Sequence, residues 1–178
     1  PSEYFKTHPT DKRNEFTAWK QPEPPKVIPV SYLPSSLLAA DTHRNKNNLF
    51  RFMSKEFGEV EANRVFDIYH VGTSRHWRNG NGLATSFPQI DESGRLCQLK
   101  VMAYNPKTGK RMKKQDESEL WSDKEQKYIP DTRPMDKIWF AGKALLKDYG
   151  ANFRQTFFGC HLIGNASRVG VVESEKSA

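Results

Sequence analysis

Cysteine is scarce in this sequence. Its two residues, Cys97 and Cys160, lie far apart, and neither has a His or Cys at metal-ligand spacing. That argues against a zinc site or a disulfide framework within the chain and marks both as small buried side chains. Long apolar runs are missing too. No stretch approaches the roughly 18 residues of a membrane span. The opening residues, from Pro1 on, show neither the charged nor the apolar region of a secretory signal. A cytoplasmic location without a membrane partner is therefore expected. The start Met is also absent, which suggests a trimmed chain or part of a longer protein. The most informative absence is that of acid. Between Arg95 and Gln115 there is no Asp or Glu, whereas Arg95, Lys100, Lys107, Lys110, Arg111, Lys113 and Lys114 are all basic. Those seven equal the whole formal net charge of +7, so the rest of the chain is balanced. Such clustering fits a polyanionic partner. It fits equally well a solvated, lysine-rich hairpin that maintains solubility.

What is present suffices for a modest core: 36% hydrophobic residues, with four Trp and eleven Phe, in a length of 178 that suggests one domain or slightly more. Residues 1–34 read as an extended, proline-rich lead-in, because six prolines fall between Pro9 and Pro34. Phe5, Phe16 and Trp19 could anchor it. A short helix is expected over 35–40, capped by Ser35. Asn47 or Asn48 can cap a helix that Gly58 stops. A second helix over 59–69 places Ala62, Val65, Phe66 and Tyr69 on one face. The texture then changes near Gly72. Residues 79–82 form a turn, 83–90 a strand, 91–94 a turn and 95–104 a second strand. In that strand Cys97, Leu99, Val101 and Ala103 share an expected buried face, and Gln98, Lys100 and Tyr104 a wet, basic-aromatic one. A turn over 105–109 leads to a candidate third strand at 110–113. Residues 115–133 read as polar loop, 137–149 as helix ended by Gly150, 153–162 as a short helix, and 168–172 as an apolar strand. The expected class is α+β, with N-terminal helices packed on a small antiparallel sheet.

The segment Val169-Gly170-Val171-Val172-Glu173 delivers a carboxylate at the end of an apolar strand. It resembles the first motif of the toprim domain, found in bacterial primases, type IA and II topoisomerases and related nucleases. The hairpin Phe87-Pro88-Gln89-Ile90-Asp91 with Gly94-Arg95, then Tyr104 and Gly109-Lys110-Arg111, resembles the region just before toprim in bacterial primases. Phe157-Phe158-Gly159 falls where that family places an aromatic-glycine step. Lys127-Tyr128 falls at its lysine-tyrosine pair, although Pro130 departs from the polar residue expected there. From about Tyr32 to Lys176 the chain looks like primase-like toprim proteins of Bacteroidetes mobile elements or phages. Tyr69-His70-Val71-Gly72-Thr73-Ser74, His76-Trp77, Tyr104-Asn105-Pro106 and Thr108-Gly109-Lys110-Arg111 carry that likeness. The opening Pro1-Ser2-Glu3-Tyr4-Phe5 resembles the residues just after the zinc-binding module of such proteins.

The resemblance implies a division into the lead-in 1–34, a toprim-preceding subdomain at 35–166, and the first strand of a truncated toprim domain at 167–178. It implies that Glu173 acts catalytically with Mg²⁺ in the parent. The paired aspartates of the family would lie after Ala178, so no complete metal site is expected here and the fragment should be inactive. Zinc would belong to an upstream module. The parent would be a nucleotidyltransferase that makes RNA primers on single-stranded DNA for replication or transfer of a mobile element. Single-stranded DNA or an RNA–DNA hybrid would be its partner, with a replication helicase as a further one. Lys100, Lys107, Lys110, Arg111, Lys113 and Lys114 could track phosphates, and Tyr104 could stack a base. Arg75 and Trp77 could act likewise, unless Trp77 is buried under a loop. His43, His70 and His161 read as structural. Two other readings stand beside this one: a non-catalytic DNA-binding module of a mobilizable transposon, and part of a toprim nuclease or topoisomerase.

Overall fold

The computed structural model describes residues 28–39, 41, 43–133, 135–164 and 166–173. Most of the proline-rich lead-in and the residues after Glu173 lie outside that set. The fold is α+β. Helices α1 (Asn48–Phe57) and α2 (Glu59–Ile68) lie on a six-stranded, wholly antiparallel sheet of order β5-β4-β1-β2-β3-β6. Its strands are β1 (Gly72–Asn79), β2 (Gly82–Ile90), β3 (Leu96–Met102), β4 (Glu119–Ser122), β5 (Lys127–Pro130) and β6 (Ile138–Phe140). A short helix α3 (Gly142–Leu146) comes after β6.

Local chemistry accounts for the helical hairpin. The Asn47 side chain accepts from the backbone N–H groups of Leu49 and Phe50 and so caps α1. The same amide donates to the Gly72 carbonyl and Thr73 Oγ1 and accepts from Thr85 Oγ1. The helix start is thereby tied to β1 and β2, and Asn47 is fully buried without an unpaired polar atom. Gly58, at φ 89, makes the sharp reversal into α2. Leu49, Phe50, Ala62 and Phe66 then pack on Val71, Phe87, Met102 and Tyr104 of the sheet. The opposite face buries Trp77, Ala84, Val101, Ala103, Met112 and Ala141.

Both faces of the sheet are thus covered, and this overturns the expected alternation in β3. Leu96, Cys97, Val101, Met102 and Ala103 are all buried, and so is Tyr104, at 3% exposure. Four further expectations fail for identifiable reasons. The supposed loop at 115–133 contains the hairpin β4–β5, in which Leu120 faces Ile129 and Trp121 faces Tyr128 across the ladder. The helix expected over 137–149 starts as β6, because Ile138, Trp139 and Phe140 pair with Met102, Val101 and Lys100. Three large β-favouring side chains beside an open strand outweigh the helical spacing. Residues 110–113 form no strand, only a single bridge between Tyr104 and Arg111. Residues 168–172 form none either: they pair with no strand, and Val169, Val171 and Val172 are exposed. An isolated extended segment has no ladder to satisfy its backbone. The short helices shrink to 3₁₀ turns at Ser35–Leu38, which Pro34 rather than Ser35 precedes, and at Cys160–Leu162. Strand β1 has no counterpart among the expected elements. Ser31 and Leu33 bridge to Phe153 and Leu96, which joins the end of the lead-in to the main body.

Candidate nucleic-acid interface

After β3 the acid-free stretch continues as a folded loop rather than a strand. Asn105 Oδ1 accepts from the N–H groups of Lys107 and Thr108, which closes the turn. Met112 drops into the core below the sheet and pins the far end. Around these anchors Lys107, Lys110, Arg111, Lys113 and Lys114 are exposed. Arg111 pairs with Asp136 at 3.3 Å. The four lysines make no ion pair among the described residues.

The loop does not stand alone. Gly109 has φ 60, and a Cβ there would come within 2.4 Å of the Phe52 ring of α1. Only glycine allows that approach. The contact sets the loop beside α1, where Arg51 and Lys55 occupy one face at helical i, i+4 spacing and are both exposed. Lys55 has only a 4.0 Å approach to Glu56. Arg51 and Lys55 were not singled out from the sequence, because their neighbourhood to the loop depends on a tertiary contact. The Phe52–Gly109 pair gives no sequence signal.

Two expected stacking residues are corrected by burial. Tyr104 lies edge-on to Phe87 at 6.1 Å between ring centroids and belongs to the core. Trp77, at 1% exposure, lies in β1 within the opposite core rather than on a surface. Its Nε1 donates to Asp131 Oδ2 at 2.9 Å. Neither ring can receive a base. Lys100 is half-buried, with its ammonium 5.9 Å from the Phe140 ring centroid. Arg75 is exposed, 3.5 Å from His43 Nε2.

Asp131 centres a second, wholly different cluster of charge. Its side chain is fully buried and takes Arg133 Nε at 2.8 Å and Lys137 Nζ at 2.9 Å; Lys137 is fully buried as well. Burial alone would raise the Asp131 pKa, but hydrogen bonds from Arg133 and Trp77 and the Lys137 ammonium 2.9 Å away outweigh it and hold the carboxyl well below its usual range. Next to it, burial and the Arg133 charge push His76 down to about 4. The neutral His76 ring stacks on Trp139 at 3.9 Å. β1 and β6, two strands apart in the sheet order, meet through this contact, so the sheet curls.

At the C-terminal end a cavity of about 560 Å³ is lined by Tyr69, Phe157, Cys160, Arg168, Val171 and Glu173, among others. Glu173 is exposed there. Among the described residues no group of three or more His, Cys, Asp and Glu could hold a metal ion. Glu173 alone does not make a magnesium site, since the ion keeps its waters unless several oxygens replace them. The residues present do not fit the metal. Cys97 is buried and Cys160 partly buried, both as free thiols. Among the described residues no helix is long and apolar enough to cross a membrane.

No curated protein and no solved structure matches this sequence. A protein-family model does match, over residues 47–178. The matched span opens at the Asn47 cap and takes in both helices of the hairpin, all six strands and the basic loop. With that much of its length covered, the chain belongs to the family described as Domain of unknown function (DUF6371).

Proposed function

We propose that this chain is a nucleic-acid-binding part of a primase-like toprim protein. The parent would make RNA primers on single-stranded DNA for a mobile element, in the cytoplasm. One observation supports the binding role above all others. The lysines of the 105–115 loop lie exposed without ion pairs among the described residues, and the Phe52–Gly109 contact docks their loop on α1, the helix that carries the exposed Arg51 and Lys55. Exposed lysines gathered without ion pairs repel one another, and a phosphate backbone relieves that repulsion while releasing its counterions. A solubility hairpin needs no such docking onto a second basic element. The parent's chemistry rests on the likeness of residues 169–173 to a toprim motif, which ends in Glu173.

The binding role is tested by fluorescence anisotropy with a labelled single-stranded oligonucleotide. Reversing Lys110, Arg111 and Lys113 to Glu should weaken binding about tenfold or more. Unchanged affinity would assign the cluster to solubility. The parent's role is tested separately, in the full-length protein. There Glu173→Gln should abolish primer synthesis and spare binding, because the change is isosteric and lies away from the loop. Normal synthesis by that variant would leave the non-catalytic DNA-binding module as the better reading.

A further inference from the structure

With Tyr104 and Trp77 both in the core, the basic surface needs another aromatic side chain if it is to hold unpaired bases. We infer that Phe140, backed by Lys100, is a stacking site for a nucleobase of single-stranded DNA or RNA; this rests on the nucleic-acid-binding reading above. Phe140 lies on β6, at the end of the sheet order, and is 54% exposed. Its neighbour Trp139 turns to the opposite face and stacks on His76. Two-residue alternation therefore puts Phe140 on the same face as Ile138, which packs into the core under α1 and α2. Across the ladder Phe140 faces Lys100, whose ammonium stands 5.9 Å from the ring centroid.

Position joins this ring to the basic loop. Asp136, four residues before Phe140, is the partner of Arg111. The chain turns between them, Ile138 N–H donating to the Asp136 carbonyl at 2.8 Å, so the two positions are closer than the about 13 Å of four extended residues, a gap that a few nucleotides span. A strand whose phosphates lie on the 105–115 loop and α1 can thus reach Phe140 with a base. The ring offers a flat apolar face on which a base can stack. Every base has a π-face, so the site would be blind to sequence. It would also discriminate against duplex, whose bases are already stacked. Tyr128 and Trp121 suit the role less well. Tyr128 carries the Arg78 guanidinium over its ring at 4.3 Å, and Trp121 packs edge-on against Tyr128. Phe140 was hidden from sequence inspection because residues 137–149 read as helix, a setting in which it shares no ladder with Lys100.

The test compares a short oligo-dT with a duplex of equal length, using wild type, Phe140→Ala, Phe140→Leu and Phe140→Trp. Phe140→Ala should lose about tenfold in affinity for oligo-dT and leave the duplex unchanged. Phe140→Leu, which keeps apolar bulk without a π-face, should lose nearly as much. Phe140→Trp should bind like wild type, with emission quenched by oligo-dT beyond the wild-type response. Because the ring is exposed, the melting temperature of Phe140→Ala should match wild type, which excludes misfolding. If wild type binds oligo-dT and Phe140→Ala binds it equally well, the stacking site is refuted while the basic-loop reading survives. An equal loss toward oligo-dT and duplex would refute stacking too. If wild type binds neither, the nucleic-acid reading itself falls.

Discussion

Two groups of cations, close in sequence, meet opposite fates in this fold. Arg133 and Lys137 surround Asp131, whose side chain is fully buried, as is that of Lys137. Lys107, Lys110, Lys113 and Lys114 stand in solvent and pair with no acid among the described residues. The first group closes the curl of the sheet, from Trp77 on β1 to the residues leading into β6. The second contributes nothing visible to the fold. Taking charge out of water is tolerable only with a partner, so the buried group is a unit that fails when one member is lost. Exposed charge of one sign is the arrangement for a partner that arrives from outside. Residue type is the same in both; burial and pairing separate a fold-forming ion from a ligand-seeking one.

The strongest way to break this contrast is Asp131→Ala. It leaves Lys137 buried without its counter-charge and should cost about 3–5 kcal/mol. In a thermal melt that is a drop on the order of 10 °C for a domain of this size. Lys137→Met should cost less, since Arg133 and Trp77 still hold Asp131. An Asp131→Ala protein as stable as wild type would show that the buried cluster is no keystone. The reverse pattern is expected of Lys110→Glu with Arg111→Glu and Lys113→Glu. Their large loss of DNA affinity should come with a stability change within about 1 kcal/mol, as for other surface positions.

A smaller effect tests the junction between loop and helix. Gly109→Ala puts a methyl group against the Phe52 ring and strains a backbone at φ 60. A destabilisation of about 1–2 kcal/mol is expected in chemical unfolding. DNA affinity should weaken by a few-fold as the loop moves off Arg51 and Lys55. Unchanged affinity despite the loss of stability would confine binding to the loop alone.

Stability should also depend on pH. His76 titrates near pH 4 in the fold and at about 6.5 when unfolded. Between those values the unfolded chain takes up a proton that the native ring refuses, so stability falls as pH drops from about 6.5 to 4. Asp131 acts further down. Its lowered pKa gives stability that is complete above the ordinary carboxylate range and is lost as pH falls below about 3.8. Urea midpoints for wild type and His76→Phe should therefore converge with rising pH and separate toward pH 4, with the variant less pH-sensitive. Parallel curves would mean that His76 is already accessible to protons.

Much of the fold could be read from the sequence where one residue type dominates locally. The Asn47 cap, the Gly58 reversal and the Ala62, Phe66 spacing each suffice to place a helix. The turns at 79–82 and 91–94 frame β2 and the start of β3. The four remaining strands escaped because their reasons are not local. β1 reads Gly-Thr-Ser-Arg-His-Trp-Arg-Asn, with Trp77 as its one buried side chain, and it exists because β2 and β4 pair with it on either side. β4 and β5 are four residues each, too short for a period to declare itself. β6 sits inside a helical spacing that pairing with β3 overrides. The candidate site divides in the same way. The exposed lysines followed from the absence of acid, which is visible in the letters. The place of Tyr104 and Trp77 did not, because a large aromatic beside a cation looks the same on a surface and in a core. Arg51 and Lys55 needed the Phe52–Gly109 contact that docks the loop on their helix, and Phe140 the ladder that sets it opposite Lys100.

The central claim, that the exposed cations meet a phosphate backbone, is tested most directly by the salt dependence of binding. The affinity of wild type for a single-stranded oligonucleotide should be measured between about 50 and 200 mM salt. The expected log–log plot is linear, with a slope near −3.5 if about five phosphates are neutralised, each contributing about −0.7. The triple Glu variant should give a slope about two units shallower. A flat plot for wild type, or equal slopes for wild type and variant, would contradict the assignment of this loop to nucleic acid.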